Sequence, residues 1–171
     1  MKRILFVPDS HVPYLDERAW KLMLKAGRHY KPDILVVGGD LYDFYAVSSH
    51  SKDPRRVSLL KEELKTAKKR RRELESLGAK RNVFVEGNHC NRLERYLWNK
   101  APELYGLITI PELLGLDEWE FVPYKDHIKI GNLFITHNAG GTGKYAAWKA
   151  LDTYQHNIRS EEHTSELQSP C

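Results

Sequence analysis

One stretch constrains this chain more than any other: Ile34 to Asp43, reading Ile-Leu-Val-Val-Gly-Gly-Asp-Leu-Tyr-Asp. Four apolar residues in a row, three of them β-branched, predict a buried strand. Two glycines end it and let the backbone turn tightly. Asp40 is delivered at the strand's far end, with Asp43 three residues later. A carboxylate held there is badly placed for packing and well placed for chemistry.

The flanking segments alternate strand and helix. Lys2 to Val7 reads as a first strand, followed by Pro8-Asp9-Ser10-His11. Glu17 to Tyr30 reads as a helix with Trp20, Leu22, Met23, Leu24 and Ala26 on its apolar positions, and Gly27 weakens its last turn. Leu41 to Arg56 is expected to be loop and short helix. Ser58 to Leu77 reads as a long helix capped by Ser58 and stopped by Gly78, with Leu60, Leu64, Ala67, Leu74 and Leu77 as its apolar stripe and Arg71 interrupting it. Asn82 to Val85 is a third strand, ending in Glu86-Gly87-Asn88-His89, and Asn91 to Lys100 a short helix. Leu104 to Pro123 shows no clear period. Ile128–Ile130 and Leu133–Ile135 flank Gly131-Asn132, the signature of a hairpin, and the second arm runs into Thr136-His137. Lys144 to Tyr154 reads as a helix, and His156 to Ile158 begins another strand. Strands alternating with helices, then a late hairpin, predict an α/β fold with a mixed sheet or two sheets flanked by helices.

At 171 residues, 41% hydrophobic and 29% charged, the chain has the composition of one soluble globular domain. No apolar run approaches the roughly 20 residues of a membrane helix, and no membrane partner is expected. The run Ile4 to Val7 is too short for a signal peptide. Two cysteines, Cys90 and Cys171, make no disulfide framework, so a reducing cytoplasm is the expected compartment. A net charge of +4 permits an anionic or nucleic-acid partner without requiring one.

Four apolar runs share a feature: each is followed within a few residues by groups able to bind metal. The first gives Asp9 and His11, the second Asp40 and Asp43, the third Asn88 and His89, the fourth His137. In open α/β sheets, sites form beyond the carboxyl ends of strands. Carboxylates, imidazoles and an amide oxygen suit Mn, Fe or Zn, and with fewer nitrogens Mg. The series Asp9-Ser10-His11, Gly39-Asp40-Leu41-Tyr42-Asp43, Gly87-Asn88-His89-Cys90 and His137 resembles the motifs of the calcineurin-like metallophosphoesterases, D-x-H, G-D-x-x-D, G-N-H-[DE] and a lone histidine after a strand. It is most similar to their compact bacterial and phage members, from Ile4 to about Ile158.

The resemblance implies mixed β-sheets packed as a sandwich, and a dinuclear centre that hydrolyses a phosphate mono- or diester with metal-activated water. Asp9 and His11 would bind the first of two divalent ions (Mn, Fe, Zn or Mg, with Mn for assay) and Asn88 and His137 the second. Asp40 would bridge them. His89 would serve as general acid or stabilise the leaving oxygen, with Asp43 orienting it.

Two departures from the family pattern stand out. Cys90 replaces the usual acid and is read as a tolerated change rather than a functional thiol. The closing G-H-x-H motif is absent. Where it should follow Ile158, residues 159–171 have no apolar period and resemble a translated sequencing-library adapter. Residues 1–158 are therefore read as an incomplete phosphoesterase domain with its last strands missing, and 159–171 as a disordered, non-native tail. His163 is not read as a ligand. On that reading the chain lacks one ligand for each metal, loads metal weakly and turns over poorly. The alternatives left open are a non-catalytic metal-binding or scaffold member or inactive fragment, and a nucleic-acid-binding module using the basic helix 61–72.

Asn138 to Lys144 invites a P-loop reading and fails it, since Asn138 stands where the first glycine belongs and Tyr145 where Ser or Thr belongs. It is read as a loop beside the site, with Lys144 a candidate substrate ligand. Arg92, with Arg95 after it, is placed to meet a substrate phosphate. Lys68 to Arg72 is expected to be a solvated helix face. Trp20, Trp98, Trp119 and Trp148 are expected in the core or under loops, and His29, His50, His127 and His156 at the surface.

Overall fold

The structure, a computed structural model, describes residues 2–51, 53, 59–139 and 145–160. Two sheets face each other. The first has the order β1 (Ile4–Val7), β2 (Ile34–Val37), β3 (Arg81–Val85), β4 (Glu120–Val122), all parallel. Parallel neighbours need crossovers, and the helices supply them: α1 (Glu17–Tyr30), α2 (Leu60–Glu75), then α3 (Arg92–Lys100) and α4 (Ile110–Leu114). The second sheet has β5 (Ile128–Ile130) antiparallel to β6 (Leu133–Ile135), and β7 (Asn157–Arg159) parallel to β6, with α5 (Ala146–Tyr154) between them. Among the described residues no helix is long and apolar enough to cross a membrane.

The run Ile34–Val37 is apolar throughout because it is buried on both sides. Leu35, Val37 and Phe84 face the helices, where they join Val7, Trp20, Leu24, Leu74 and Leu97. Ile34, Val36, Val83, Val85 and Val122 face the other way and pack on Ile128, Ile130 and Ile135 of the second sheet. Successive residues of a strand point to opposite faces, so one strand feeds two cores.

The helices follow the predicted limits closely. Asp16 caps α1 by accepting from the Arg18 and Ala19 amides at 2.7 and 3.0 Å. The helix runs through Gly27 to Tyr30. Gly27 is buried, and a Cβ there would lie 2.9 Å from Leu77, so glycine lets the helix sit close on that side chain. Leu22 is 68% exposed and lies off the buried stripe of Trp20, Leu24 and Gly27. The segment without a clear period, 104–123, contains α4 and β4, too short to show periodicity.

The basic run of α2 is not simply a solvated face. Arg70 is buried, bonded to Glu17 and, at 2.9 Å, to Glu73, with its guanidinium over the Trp20 ring. Arg71 meets Glu75 at 2.6 Å. Glu73 and Glu75 also accept from the indoles of Trp20 and Trp119, at 2.7 and 2.8 Å. Two arginines of the run thus tie α2 to its neighbours through shared carboxylates. Trp20 and Trp119 are buried as expected, whereas Trp98 and Trp148 are about two-thirds exposed, at 65% and 66%. Trp98 nonetheless stacks on Tyr105, with ring centroids 5.5 Å apart. The four histidines expected at the surface are exposed. Ser58, the expected cap of α2, lies outside the described residues, and Leu59 takes the capping position.

Phe84 is fully buried and stacked between Tyr42 (5.7 Å) and Phe121 (6.0 Å). Phe84→Ala should lower stability by about 3–5 kcal/mol. The measurement is the urea midpoint at constant slope, and a loss below about 1 kcal/mol would show that the stack is not a packing centre.

Candidate functional site

The loops that follow β1 and β2 continue to pair after the strands end. The Asp9 amide donates to the Gly39 carbonyl (3.1 Å), His11 to Asp40 (2.9 Å), Val12 to Leu41 (2.8 Å), and Asp43 back to Val12 (3.1 Å). This zipper holds three site residues in the left-handed region: Asp9 at φ 44°, His11 at 45° and Asp40 at 48°. Such a conformation costs roughly 1–3 kcal/mol per residue and persists only where the surroundings enforce it.

Two glycines bring the loops into contact. A Cβ at Gly39 would lie 2.1 Å from His137 Nδ1. A Cβ at Gly87 would lie 2.1 Å from Asp40 Oδ1 and 2.6 Å from its backbone nitrogen. Gly39 admits His137 from the second sheet, and Gly87 admits Asp40 from the neighbouring strand. The glycines of both motifs serve close approach as well as turning.

Asp9, His11, Asp40, Asp43, Asn88, His89 and His137 all meet at this edge. The ligand atoms of Asp9, Asp40 and His137 lie within 4.8 Å of one another, as do those of His11, Asp43 and His89. The two groups adjoin: His11 Nε2 lies 3.7 Å from Asp9 Oδ1, and the His11 and His89 rings are 4.4 Å apart. Asn88 Oδ1 faces His137 Nε2 at 3.0 Å. A cleft of about 740 Å³, lined by Asp9, His11, Tyr14, Asp43 and His89 among others, opens onto the site.

Asp40 is 2% exposed. Its Oδ1 accepts from the amides of His89 (2.8 Å) and Cys90 (3.4 Å), and its Oδ2 lies 3.3 Å from His137 Nε2. Burial pushes this carboxyl up, but the hydrogen bond and charge of His137, with His89 and His11, outweigh it and hold it below the ordinary value. His137 shows the converse. Burial disfavours its charge, yet Asp40 and the Gly38 carbonyl raise it to about 9.

His89 Nδ1 is 2.8 Å from Asp43 Oδ1. Arg92 was expected to meet substrate. In the structure its guanidinium already makes contacts within the site: one nitrogen donates to the Asp43 carbonyl at 2.9 Å and touches the Asp43 carboxylate, the other lies 3.1 Å from His89 Nε2. Lys144 lies outside the described residues. Cys90 is fully buried beneath the site, and burial drives its thiol well above the ordinary value, which disfavours thiolate chemistry.

Sequence reasoning missed Glu63. It is 1% exposed on α2, and one carboxylate oxygen accepts from the Phe44 amide, next to Asp43. Phe44 is left-handed at φ 50°, so this bond fixes the turn that presents Asp43. The legible signal was an acid inside the apolar stripe, between Leu60 and Ala67. Burial, opposed by the Phe44 bond and reinforced by Asp43, raises Glu63 to about 7. A carboxyl raised in the folded state binds more protons folded than unfolded, so its contribution to stability falls as pH rises from about 4.5 to 7. Glu63→Gln should remove that slope, gaining on the parent by on the order of 2–3 kcal/mol across this window. Parallel pH dependences of the two urea midpoints would contradict it.

No curated protein matches the chain. A family model for calcineurin-like phosphoesterases matches residues 2–168. The match extends past position 158, the expected end of the domain. Of the residues beyond that point, Arg159 lies in β7 with its guanidinium over the Phe6 ring, and the buried Ser160 donates to the His137 carbonyl at 2.8 Å. Residues 161–171, including His163, lie outside the described residues. With that match spanning nearly the whole chain, it belongs to the calcineurin-like phosphoesterase family.

Proposed function

We propose that the chain is a hydrolase of phosphate mono- or diesters with a dinuclear metal centre at this edge. The observation that carries the reading is the setting of His137. Its Nδ1 faces the Gly38 carbonyl at 3.0 Å and is spent as a donor. In the neutral ring, Nε2 then turns a lone pair toward two oxygens, Asn88 Oδ1 at 3.0 Å and Asp40 Oδ2 at 3.3 Å. Three acceptors converging on one point call for a proton or a cation between them. Asp9 Oδ2 adds a buried oxygen without a hydrogen-bond partner. These residues fit a divalent ion, and the oxygen and nitrogen donor set is that of Mn, Fe or Zn.

Asp9 and His11 would hold one ion, Asn88 and His137 the other, with Asp40 between them. When bound, such a pair supplies charge neutralisation of the phosphoryl oxygens and acidifies water. The protein's own part is positioning and proton handling. Asp43 accepts from His89 Nδ1–H and fixes the ring, while Arg92 directs an N–H at Nε2. Arg92 therefore sets where Nε2 waits as an acceptor; for His89 to protonate a departing alkoxide, Arg92 must yield and Nε2 must first take up a proton from solvent. In this reading Arg92 positions His89 and Asp43 rather than gripping the ester.

Hydrolysis of p-nitrophenyl phosphate or its bis ester with Mn²⁺ should be abolished by chelation. His89→Gln should lower kcat about 100-fold or more, and Asp43→Asn about 10- to 100-fold. Asp40→Ala should release both ions, read as metal content per chain. Turnover insensitive to chelator, or unchanged in His89→Gln, would overturn the proposal.

A further inference from the structure

A second concavity adjoins the site on the α3 side, about 250 Å³ in volume, lined by Val47, Ser48, Ser49, Arg92, Arg95, Tyr96, Asn99 and Lys100. Its helix residues fall at i, i+3, i+4, i+7 and i+8 from Arg92, so they form one stripe along α3. The stripe begins at the site, because Arg92 touches both Asp43 and His89. It carries three cations and no carboxylate. Arg92 is spent on Asp43. Among the described residues Arg95 and Lys100 have no ion-pair partner, and both are exposed. The facing wall contains Ser48 and Ser49, the Ser48 hydroxyl also accepting from the His50 amide at 3.2 Å. Arg95 also borders a larger neighbouring cavity of about 800 Å³, but that one contains Glu86 and Glu94 and is less suited to an anion.

We infer that this concavity binds a second phosphate of the substrate, one helical turn from the phosphoryl group being cleaved, through Arg95 and Lys100. The inference rests on the phosphoesterase reading and narrows its substrate class: the ester carries another phosphate beyond the scissile one. Arg95 lies roughly 4.5 Å along the axis from Arg92, one turn further from His89. Free arginine and lysine side chains beside hydroxyls are the donors a phosphate uses, the arginine through paired N–H groups. Two sources share this chemistry, a polyphosphorylated nucleotide and a nucleic-acid strand.

Calorimetric binding in EDTA separates them without turnover. Adenosine 3′,5′-bisphosphate, spaced as in a strand, and ADP, with its anhydride spacing, are compared with AMP. One or both should bind the parent about fivefold or more tighter than AMP. Preference for the bisphosphate marks a strand and preference for ADP a polyphosphate. Arg95→Gln with Lys100→Gln should erase the preference. Lys25→Gln with Arg28→Gln, on the half of α1 leading to the start of β2, should keep it. Absence of any preference over AMP, including absence of binding, overturns the inference, as does equal loss in both double variants. Mn²⁺-dependent hydrolysis of bis-p-nitrophenyl phosphate, which has a single phosphate, reports the underlying reading separately. It should change less than about twofold in the Arg95/Lys100 variant.

Discussion

The structure turns on keeping the Asp40 carboxylate ionised while it is almost sealed from water. Burying an isolated carboxylate costs several kcal/mol even after relaxation. Here Oδ1 takes two backbone amides from the β3 loop and Oδ2 faces His137, and charge-assisted bonds of this kind offset the loss of hydration. Remove either side and the buried charge loses half of that compensation. That is why the surrounding features are so exacting: left-handed φ at Asp40, no side chain at Gly87, none at Gly39.

The sandwich explains how these groups come together. Three of the four loops that carry the site residues leave adjacent parallel strands of one sheet, so their spacing is set by strand pairing. The fourth group, His137, arrives from the second sheet. Its position depends on the apolar packing of Ile34, Val36, Val83 and Val85 on Ile128, Ile130 and Ile135. The interior between the sheets thus sets the distance from Asp40 to His137, and with it the geometry of half the site.

On the helix side, α2 does more than cover the sheet. Glu63 anchors the turn that carries Asp43, and Asp43 pairs with His89 Nδ1. Arg70 and Arg71 lock α2 to α1 and to Trp119 through Glu73 and Glu75. A run of basic residues that reads as surface is therefore partly a buried fastening. On α3, the charged stripe from Arg92 to Lys100 divides its work, with Arg92 inside the site and Arg95 and Lys100, which make no ion pair among the described residues, exposed beside it.

The sequence by itself determined the strand order of events: apolar runs ending in Asp9, Asp40, Asn88 and His137, with helices between the first three. Those features are local, set by β-branched runs, caps and glycines, and local physics is legible in one dimension. The pairing of Asp43 with His89 was also expected, as the resemblance to the phosphoesterase family implies. Only the tertiary structure decided that Arg92 is engaged by Asp43, that Glu63 is buried beneath it, and that Trp98 and Trp148 lie outside. Each of these depends on what another element places opposite the residue. A charge or an indole carries no mark in the sequence of the partner that burial will bring to it.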